Sequence, residues 1–248
     1  MAQDFTVAMA GCVARVFPLY DRIGTMCAEY LTDAAPDFTI TITPENIAYE
    51  RELATQSDAR EGIDRTYSDA YLETLAVHRQ VAYHLIDYDA LLFHGSAIAV
   101  DGEAYLFTAL SGTGKSTHTR LWRQHFGDRA VMVNDDKPFV RLKDGQVVIC
   151  GSPWDGKHRL SCNVEVPLKA LCLLERGEEN TIAPVSRRDA LPFLLQQSFR
   201  PSDEAEQFAK AVSLLDRLTE HLPLYRLQCN MDPEAAVVAY QGMGGTKL

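Results

Sequence analysis

The stretch Ala109-Leu110-Ser111-Gly112-Thr113-Gly114-Lys115-Ser116 decides how this sequence is interpreted. It follows a predicted strand (residues 104–108) and opens a predicted helix (residues 115–126). It matches the pattern G-x-x-x-x-G-K-[ST] at every fixed position except the first, where Ala109 replaces glycine. Alanine is small, so it fits there as long as the position does not need a left-handed backbone.

This pattern is typical of loops that bind phosphates. Glycines let the backbone curl so that successive N–H groups point at phosphate oxygens, and the following helix presents its positive end to the same anion. Lys115 can reach the terminal phosphates, and the Ser116 hydroxyl can ligate magnesium. The alternative is a glycine-rich turn with an incidental lysine, which the strand–loop–helix context disfavours. The predicted nucleotide-binding residues are Ser111, Gly112, Thr113, Gly114, Lys115, Ser116 and Thr117.

Two adjacent carboxylates follow the next apolar segment. Val131-Met132-Val133-Asn134 leads into Asp135-Asp136, and a strand beside the loop would aim a carboxylate at Mg²⁺. Paired carboxylates also allow one to hold the metal while the other accepts a proton from an attacking hydroxyl. An isolated Asp-Asp pair is more often a turn or a solvated face, but its place after this loop favours a metal site. The residues alone do not decide which aspartate has which role.

Hairpins dominate the middle of the chain. Asp101-Gly102 predicts a tight turn between strands over residues 91–100 and 104–108, and Asp144-Gly145 predicts a second one. Residues 5–17 and 38–42 also read as strands, whereas the polar stretch 54–66 suggests an exposed loop or linker. Ser68 is a predicted N-cap of an apolar-striped helix, and helices are expected over about 190–199, 203–220 and 232–242. We expect a small N-terminal α+β portion (residues 1–66) and a nucleotide-binding domain with C-terminal helices (residues 67–248).

His94-Gly95-Ser96 lies near the start of the hairpin over residues 91–108, and this adds a second signature. The succession of His-Gly, hairpin, Ser-Gly-x-Gly-Lys-Ser, helix, apolar strand and Asp-Asp resembles the HPr kinase/phosphorylase and phosphoenolpyruvate carboxykinase superfamily. The resemblance covers roughly residues 91–150 and is closer to the HPr kinase-like proteins. It implies an α/β fold with a P-loop core and a mixed, hairpin-rich sheet. It also implies catalytic roles for His94, Lys115 and either Asp135 or Asp136, and a homo-oligomer.

The sequence departs from that superfamily in several places. Residues 1–90 do not look like the HPr kinase regulatory domain, and the segment that governs phosphorylase activity is not recognisable. The chain is shorter than the carboxykinases and lacks their carboxylate-substrate and extra metal-ligand motifs. Residues 151–159 combine an aromatic side chain, a carboxylate and three potential cations. We hypothesise that Lys157, His158 or Arg159 supplies charge to the transition state and that Asp155 supports the metal. The alternative is a solvated turn with Trp154 packed inward.

Composition limits the partners. The chain has 248 residues and a net charge of −10, which argues against general binding to nucleic acids or anionic membranes. No apolar run approaches the ~18 residues of a membrane span, and no positively charged signal-peptide region precedes the first apolar stretch. The six cysteines are scattered without a Cys-x-x-Cys pair, as expected for buried free thiols in a reducing cytosol. We therefore expect a cytoplasmic location.

These features together predict an ATP- and Mg-dependent phosphotransferase that acts on a hydroxyl, preferentially a serine of a protein or peptide. A small carboxykinase-like enzyme and a nucleotide-binding regulatory module without turnover are the alternatives. The sequence leaves open the acceptor, the choice among ATP, GTP and pyrophosphate as donor, and any reverse phosphorylase activity.

Overall fold

The computed structural model describes residues 2–202 and 204–245, and the chain divides into two compact units, Met1–Leu85 and Ile86–Leu248. Both units combine helices with a β-sheet, so the predicted α/β class is confirmed. Within the described residues, no helix is long and apolar enough to cross a membrane.

The first unit contains a three-stranded sheet and three α-helices among its described residues. Its elements are β1 (Phe5–Met9), β2 (Cys12–Phe17), α1 (Arg22–Met26), β3 (Phe38–Thr41), α2 (Pro44–Glu61) and α3 (Asp69–Leu85). The single strand predicted over residues 5–17 is wrong, because Ala10 and Gly11 adopt positive φ and turn it into the β1–β2 hairpin.

The polar stretch predicted as a loop over residues 54–66 is mostly helical. Helix α2 continues to Glu61 and ends where Gly62 adopts a left-handed conformation (φ 67°). Thr43 and Asn46 form a capping box at its start, and Pro44 occupies the first turn. Most of its residues are polar, so no apolar stripe marks it in the sequence.

Helix α3 begins as the sequence predicts, because the Ser68 hydroxyl accepts a hydrogen bond from the Tyr71 backbone N–H at 3.3 Å. The sequence-based division after residue 66 places this helix in the second portion of the chain. In the structure, α3 belongs to the first unit and packs on α1, α2 and β3.

The second unit is built on a nine-stranded mixed sheet over its described residues. Its strands are β4 (Ala90–Leu92), β5 (Ser96–Val100), β6 (Glu103–Thr108), β7 (Ala130–Asn134), β8 (Phe139–Lys143), β9 (Gln146–Cys150), β10 (Glu165–Arg176), β11 (Thr181–Pro184) and β12 (Leu224–Cys229). Its helices are α4 (Lys115–Phe126), α5 (Arg187–Gln197), α6 (Ala205–Glu220) and α7 (Glu234–Gly242). The strand order is β4-β8-β9-β10-β6-β5-β7, with β12 paired to both β10 and β11.

Two predictions in this unit need correction. The strand expected over residues 91–100 is two strands, β4 and β5, because the chain bends at Phe93–Gly95. A Cβ atom on Gly95 would lie 2.6 Å from Leu106 Cδ1 and 3.0 Å from the Phe107 carbonyl oxygen, so this close approach requires glycine. The last third is less helical than predicted, since it also contributes β11 and β12. The helix expected from about residue 203 is observed from Ala205, and Asp203 lies outside the described residues.

Helices cover both faces of this sheet. Leu194 of α5 and Leu215 of α6 belong to the apolar core on one face. Trp122 of α4 and Tyr240 of α7 belong to the core on the other face. This layering leaves the ends of the strands free to carry loops, which is where ligands bind in open α/β sheets.

Candidate functional site

Four strands of the second unit bring their carboxyl ends to one edge of the sheet. Strand β10 pairs in parallel with β6 and with β12, while β5 is antiparallel to both β6 and β7. Strands β7, β6, β10 and β12 therefore run in the same direction. We call the edge at which they end the carboxyl edge. The segments that follow β6 and β7 lie there, together with the start of β5.

The loop after β6, here called the glycine loop (residues 109–114), connects directly to α4. Gly112 and Gly114 have φ values of 75° and 125°, which residues with a side chain rarely adopt. Ala109 is fully buried and does not have a positive φ, so alanine fits at this position. Ser111, Gly112 and Ser116 are exposed, and Thr113, Gly114 and Thr117 are partly buried. The loop thus presents backbone and hydroxyl groups beside the first turn of a 12-residue helix.

Two cations hold the carbonyl groups of the glycine loop. Lys115 is buried, and its Nζ donates to the carbonyl oxygens of Ala109 (3.0 Å) and Leu110 (3.4 Å). From the end of β10, Arg176 donates to the carbonyls of Gly112 (2.6 Å) and Thr113 (3.2 Å). Burial lowers the pKa of Lys115, and the neighbouring Asp136 and Asp135 oppose that shift. Lys115, which the sequence predicts to bind phosphates, is therefore hydrogen-bonded to the backbone of the glycine loop in this structure.

The Asp135 side chain belongs to a buried hydrogen-bond network. Ser96 at the start of β5 donates from Oγ to Asp135 Oδ1 at 2.6 Å, and the same Oγ lies 2.8 Å from Thr119 Oγ1 on α4. Ser96 and Thr119 are almost completely buried, and Asp135 is 8% exposed. This network ties β5, the segment after β7 and helix α4 together, so the orientation of Asp135 is fixed.

Asp136 has a different environment, because its side chain is 38% exposed. Its Oδ1 lies 3.5 Å from His94 Nε2 and 3.7 Å from Lys137 Nζ. His94 Nδ1 in turn lies 3.1 Å from Gln197 Oε1, at the end of α5. Burial, together with the charges of Lys137 and Lys115, lowers the pKa of His94, while Asp136 opposes this shift. The structure therefore brings the predicted residues His94 and Asp136 into contact.

Asn134 stabilises the turn that carries the two aspartates. Its Oδ1 accepts hydrogen bonds from the backbone N–H groups of Asp136 (2.8 Å) and Lys137 (2.6 Å), which forms a tight turn after β7. Its Nδ2 donates to the carbonyl oxygens of Ser152 (3.1 Å) and Trp154 (3.3 Å). Asn134 is itself fully buried, so the turn is held from inside the fold.

The loop over residues 151–159 packs against Asp135 through its backbone. A Cβ atom on Gly156 would lie 3.1 Å from both the backbone oxygen and Oδ2 of Asp135. Trp154 is buried, and Asp155 Oδ2 accepts a hydrogen bond from the N–H of Ser161, two residues beyond the loop. The side chains predicted to supply charge are exposed: Lys157, His158 and Arg159. This arrangement has the inward tryptophan that the solvated-turn alternative expects, and the proposed roles of Asp155 and the three cationic side chains remain a prediction.

Several residues of the site were not recognised from the sequence. Thr119 lies one turn after Lys115 in α4, and this helical spacing is the signal that could have pointed to it. Gln197 and Arg176 reach the site from distant parts of the chain, so no local pattern marks them. Their contacts depend on the sheet order.

The donor atoms at the carboxyl edge suit magnesium. Ser116 and Asp135 offer hydroxyl and carboxylate oxygens, which are the ligands that Mg²⁺ prefers, with phosphates and water completing the shell. Because Gly156 has no Cβ, Asp135 Oδ2 is left unblocked at the point where a side chain would crowd it. No group of three or more His, Cys, Asp or Glu side chains in the described part of the chain could hold a metal. A magnesium ion shared with phosphates does not need such a group.

Comparison with known proteins gives one family match. No curated protein shows significant similarity to this sequence. Among solved structures, the Hpr(Ser) kinase/phosphatase from Coxiella burnetii aligns over 52% of this chain and 92% of its own, with 11% sequence identity and a TM-score of 0.29. That similarity is weak and concerns the fold alone. The model of the family described as "SynChlorMet cassette protein ScmC" matches residues 65–233. Because this match spans more than half of the sequence, the chain belongs to the ScmC family.

Proposed function

We propose that this chain is an ATP- and Mg-dependent phosphotransferase that transfers the γ-phosphoryl group to a hydroxyl, with a serine of a protein or peptide as the preferred acceptor. One observation carries the proposal. The glycine loop with Lys115 and the Asp136–His94 pair lie at the same edge of one sheet. Phosphoryl transfer needs a phosphate cradle and a group that orients the attacking oxygen, and these two features would supply them.

The glycine loop would hold the phosphates. Backbone N–H groups at the start of α4 and the Lys115 ammonium would neutralise the β- and γ-phosphoryl oxygens. For this, Lys115 Nζ would exchange its hydrogen bonds to the Ala109 and Leu110 carbonyls for phosphate oxygens. Such an exchange keeps the cation paired throughout, which limits the cost of its burial.

The two aspartates would have different roles. Asp135 is buried and fixed by Ser96, so it suits a metal ligand, together with the Ser116 hydroxyl. Magnesium bound there would neutralise charge that develops on the phosphoryl oxygens. Asp136 is more exposed and touches His94, so it suits the group that receives the proton. The acceptor oxygen would form a bond to the γ-phosphorus, the bond to the β,γ-bridging oxygen would break, and the hydroxyl proton would pass to Asp136.

The proposal is tested with γ-labelled ATP and a panel of protein, peptide and small-hydroxyl acceptors. We expect label on an acceptor hydroxyl with the wild type and none with Lys115→Ala, which should also bind nucleotide more weakly. Asp135→Asn and Asp136→Asn should each lower turnover by a factor of about 10² or more, consistent with loss of a general base or of a metal ligand. Asp144→Asn, in the exposed β8–β9 turn, is the matched control and should retain activity.

The outcomes separate the alternatives. Full activity in both aspartate variants would refute the mechanism. ATP binding without turnover across the whole acceptor panel would indicate a regulatory module. Nucleotide-dependent release of CO₂ from oxaloacetate would indicate a carboxykinase-like enzyme. The Mg²⁺ dependence of nucleotide binding, measured separately, distinguishes the two aspartates. Asp135→Asn removes the proposed metal ligand and should lose this dependence, whereas Asp136→Asn removes the proposed base and should keep it.

A further inference from the structure

Strand β3 forms one edge of the three-stranded sheet in the first unit. It pairs in parallel with β2, and no described strand lies on its other side. The Ile42 N–H donates to the Phe17 carbonyl of β2 at 3.1 Å. Because the backbone groups of successive residues in a strand point to opposite sides, the N–H of Thr41 points away from β2. Thr39 and Thr41 are both exposed, so the outer side of β3 can be reached by another strand.

The other edge strands that the structure describes are covered or blunted. Residues 31–32 bond to β1, the Phe199 N–H donates to a carbonyl of β4, and the Cys162 N–H donates to a carbonyl of β7. Strand β11 contains Pro184, which has no N–H to offer. Proteins protect exposed edges with prolines, charged side chains or covering loops, but β3 (residues 38–41) has neither a proline nor a charge. This edge is therefore suited to pairing with a further strand.

The charges around β3 have one sign. Residues 23–50, which include the strand, contain five carboxylates and no lysine or arginine. Asp33 and Glu45 are exposed on either side of the strand along the chain. The cation nearest in register, Arg15 on β2, is paired with Asp4 at 2.7 Å. An added strand that carries lysine or arginine would therefore be attracted, and an acidic one would be repelled.

We propose that the β3 edge binds an extended, basic segment of a protein or peptide partner as an additional strand. Backbone hydrogen bonds would supply the affinity, and the surrounding carboxylates would select the basic segment. A second copy of this chain is a poorer occupant. A symmetric pair of β3 strands runs antiparallel, which would bring Asp33 and Asp37 of one copy towards Glu45 of the other. The inference goes beyond the phosphotransferase function and does not depend on it.

The test uses two fluorescein-labelled peptides of about ten residues, one alternating lysine with valine and one alternating glutamate with valine. Fluorescence anisotropy on the full chain, without nucleotide, should show at least about ten-fold tighter binding of the lysine peptide. Thr41→Pro removes the outward N–H and should weaken that binding by about five-fold. Thr41→Val keeps the N–H and removes only the hydroxyl, so this matched control should stay within about two-fold.

A charge reversal tests the selectivity without altering the strand. Asp33→Lys should weaken binding of the lysine peptide by about five-fold at low salt, and less at high salt. Asp64→Lys makes the same change of charge at another exposed site of the first unit and should stay within about two-fold. Bound lysine peptide should also slow hydrogen exchange at residues 38–42, as measured by mass spectrometry.

Several results would overturn the inference. Equal binding of the two peptides would do so, as would unchanged affinity in Asp33→Lys together with a folded Thr41→Pro. If Thr41→Pro does not fold, Asp33→Lys and the exchange measurement decide. Exchange protection confined to another segment would place the binding surface elsewhere. A dimer in sedimentation that Asp33→Lys strengthens and the lysine peptide does not dissociate would show that β3 pairs with a second copy. Because these assays contain no nucleotide, their outcome is separate from that of the phosphotransfer experiment.

Discussion

Ser96→Ala should destabilise the second unit by breaking the buried link between β5 and Asp135. The Ser96 side chain is fully buried, and its Oγ donates to Asp135 Oδ1 at 2.6 Å. Alanine keeps the backbone and Cβ and removes only the hydroxyl, so the change leaves a buried carboxylate with one hydrogen bond fewer. Thr119 loses one contact as well, but its hydroxyl still has the Lys115 and Ser116 carbonyls within 3.3 and 3.4 Å.

The magnitude follows from these contacts. A hydrogen bond to a charged group contributes about 1.5–3 kcal/mol, whereas the Thr119 contact adds little because that hydroxyl retains other acceptors. Removing the buried Ser96 hydroxyl recovers part of its own desolvation cost. We expect a net loss of about 2 kcal/mol in the free energy of unfolding. For a unit of this size, that corresponds to a fall in Tm of roughly 4–8 °C.

Tryptophan fluorescence during guanidinium unfolding reports on this unit selectively. The chain has two tryptophans, Trp122 and Trp154, and both are buried in the second unit. Thr219→Val serves as a control, since it removes a buried hydroxyl that bonds only to the Leu215 and Asp216 carbonyls of its own helix. Its cost should stay below about 1 kcal/mol, because such bonds within a helix contribute little.

A double-mutant cycle of Ser96→Ala with Asp135→Ala isolates the contact itself. The coupling free energy should be about 1.5 kcal/mol or more. A coupling below about 0.5 kcal/mol, with both single variants folded, would show that the Ser96–Asp135 hydrogen bond does not orient the aspartate.

Three further predictions concern the neighbouring segments. Gly95→Ala should cost about 1–3 kcal/mol in guanidinium unfolding, because its Cβ would clash with Leu106, and a smaller loss would contradict the packing. Iodoacetamide at pH 8 should modify Cys162 first, because it is the only partly exposed cysteine among the six described. Burial raises the pKa of the Cys27 and Cys150 thiols to about 12, which keeps them unreactive at this pH. Mass spectrometry that finds a buried thiol labelled first would contradict this prediction. Arg176→Ala should weaken tripolyphosphate and ATP alike by about five-fold, through loss of its bonds to the glycine loop, and unchanged calorimetric affinities would exclude that role.

Local signals in the sequence were enough for the elements that flank the site. Asp101 and Gly102 both adopt positive φ (53° and 84°), as the predicted hairpin turn requires. Helix α4 spans residues 115–126, as predicted, and ends at Gly127 with φ 54°. In each case the decisive information lies in one or two residues whose conformational preference is strong.

Other elements depend on contacts that a local pattern does not contain. Strand β12 is fixed by parallel pairing with β10 and antiparallel pairing with β11, far along the chain. Helix α2 lacks an apolar stripe, so its cap residues Thr43 and Gly62 are the main signals for it. The bend at Gly95 follows from close packing on Leu106, which no property of the segment itself reveals. Gln197 reaches His94 for the same reason, through the packing of α5 on the sheet.

The carboxyl edge also explains how an acidic chain can attract a small anion. The net charge of −10 acts over the whole surface, but salt screens charges beyond a Debye length of about 8 Å. Close to the glycine loop lie two cations, Lys115 and Arg176, and the positive end of α4, together with the carboxylates Asp135 and Asp136. The two cations donate to carbonyl oxygens, which carry no formal charge, and a magnesium ion that arrives with the triphosphate would offset the two carboxylates. A triphosphate is small enough to interact mainly with these groups, whereas an extended polyanion would also be repelled by the acidic surface around them.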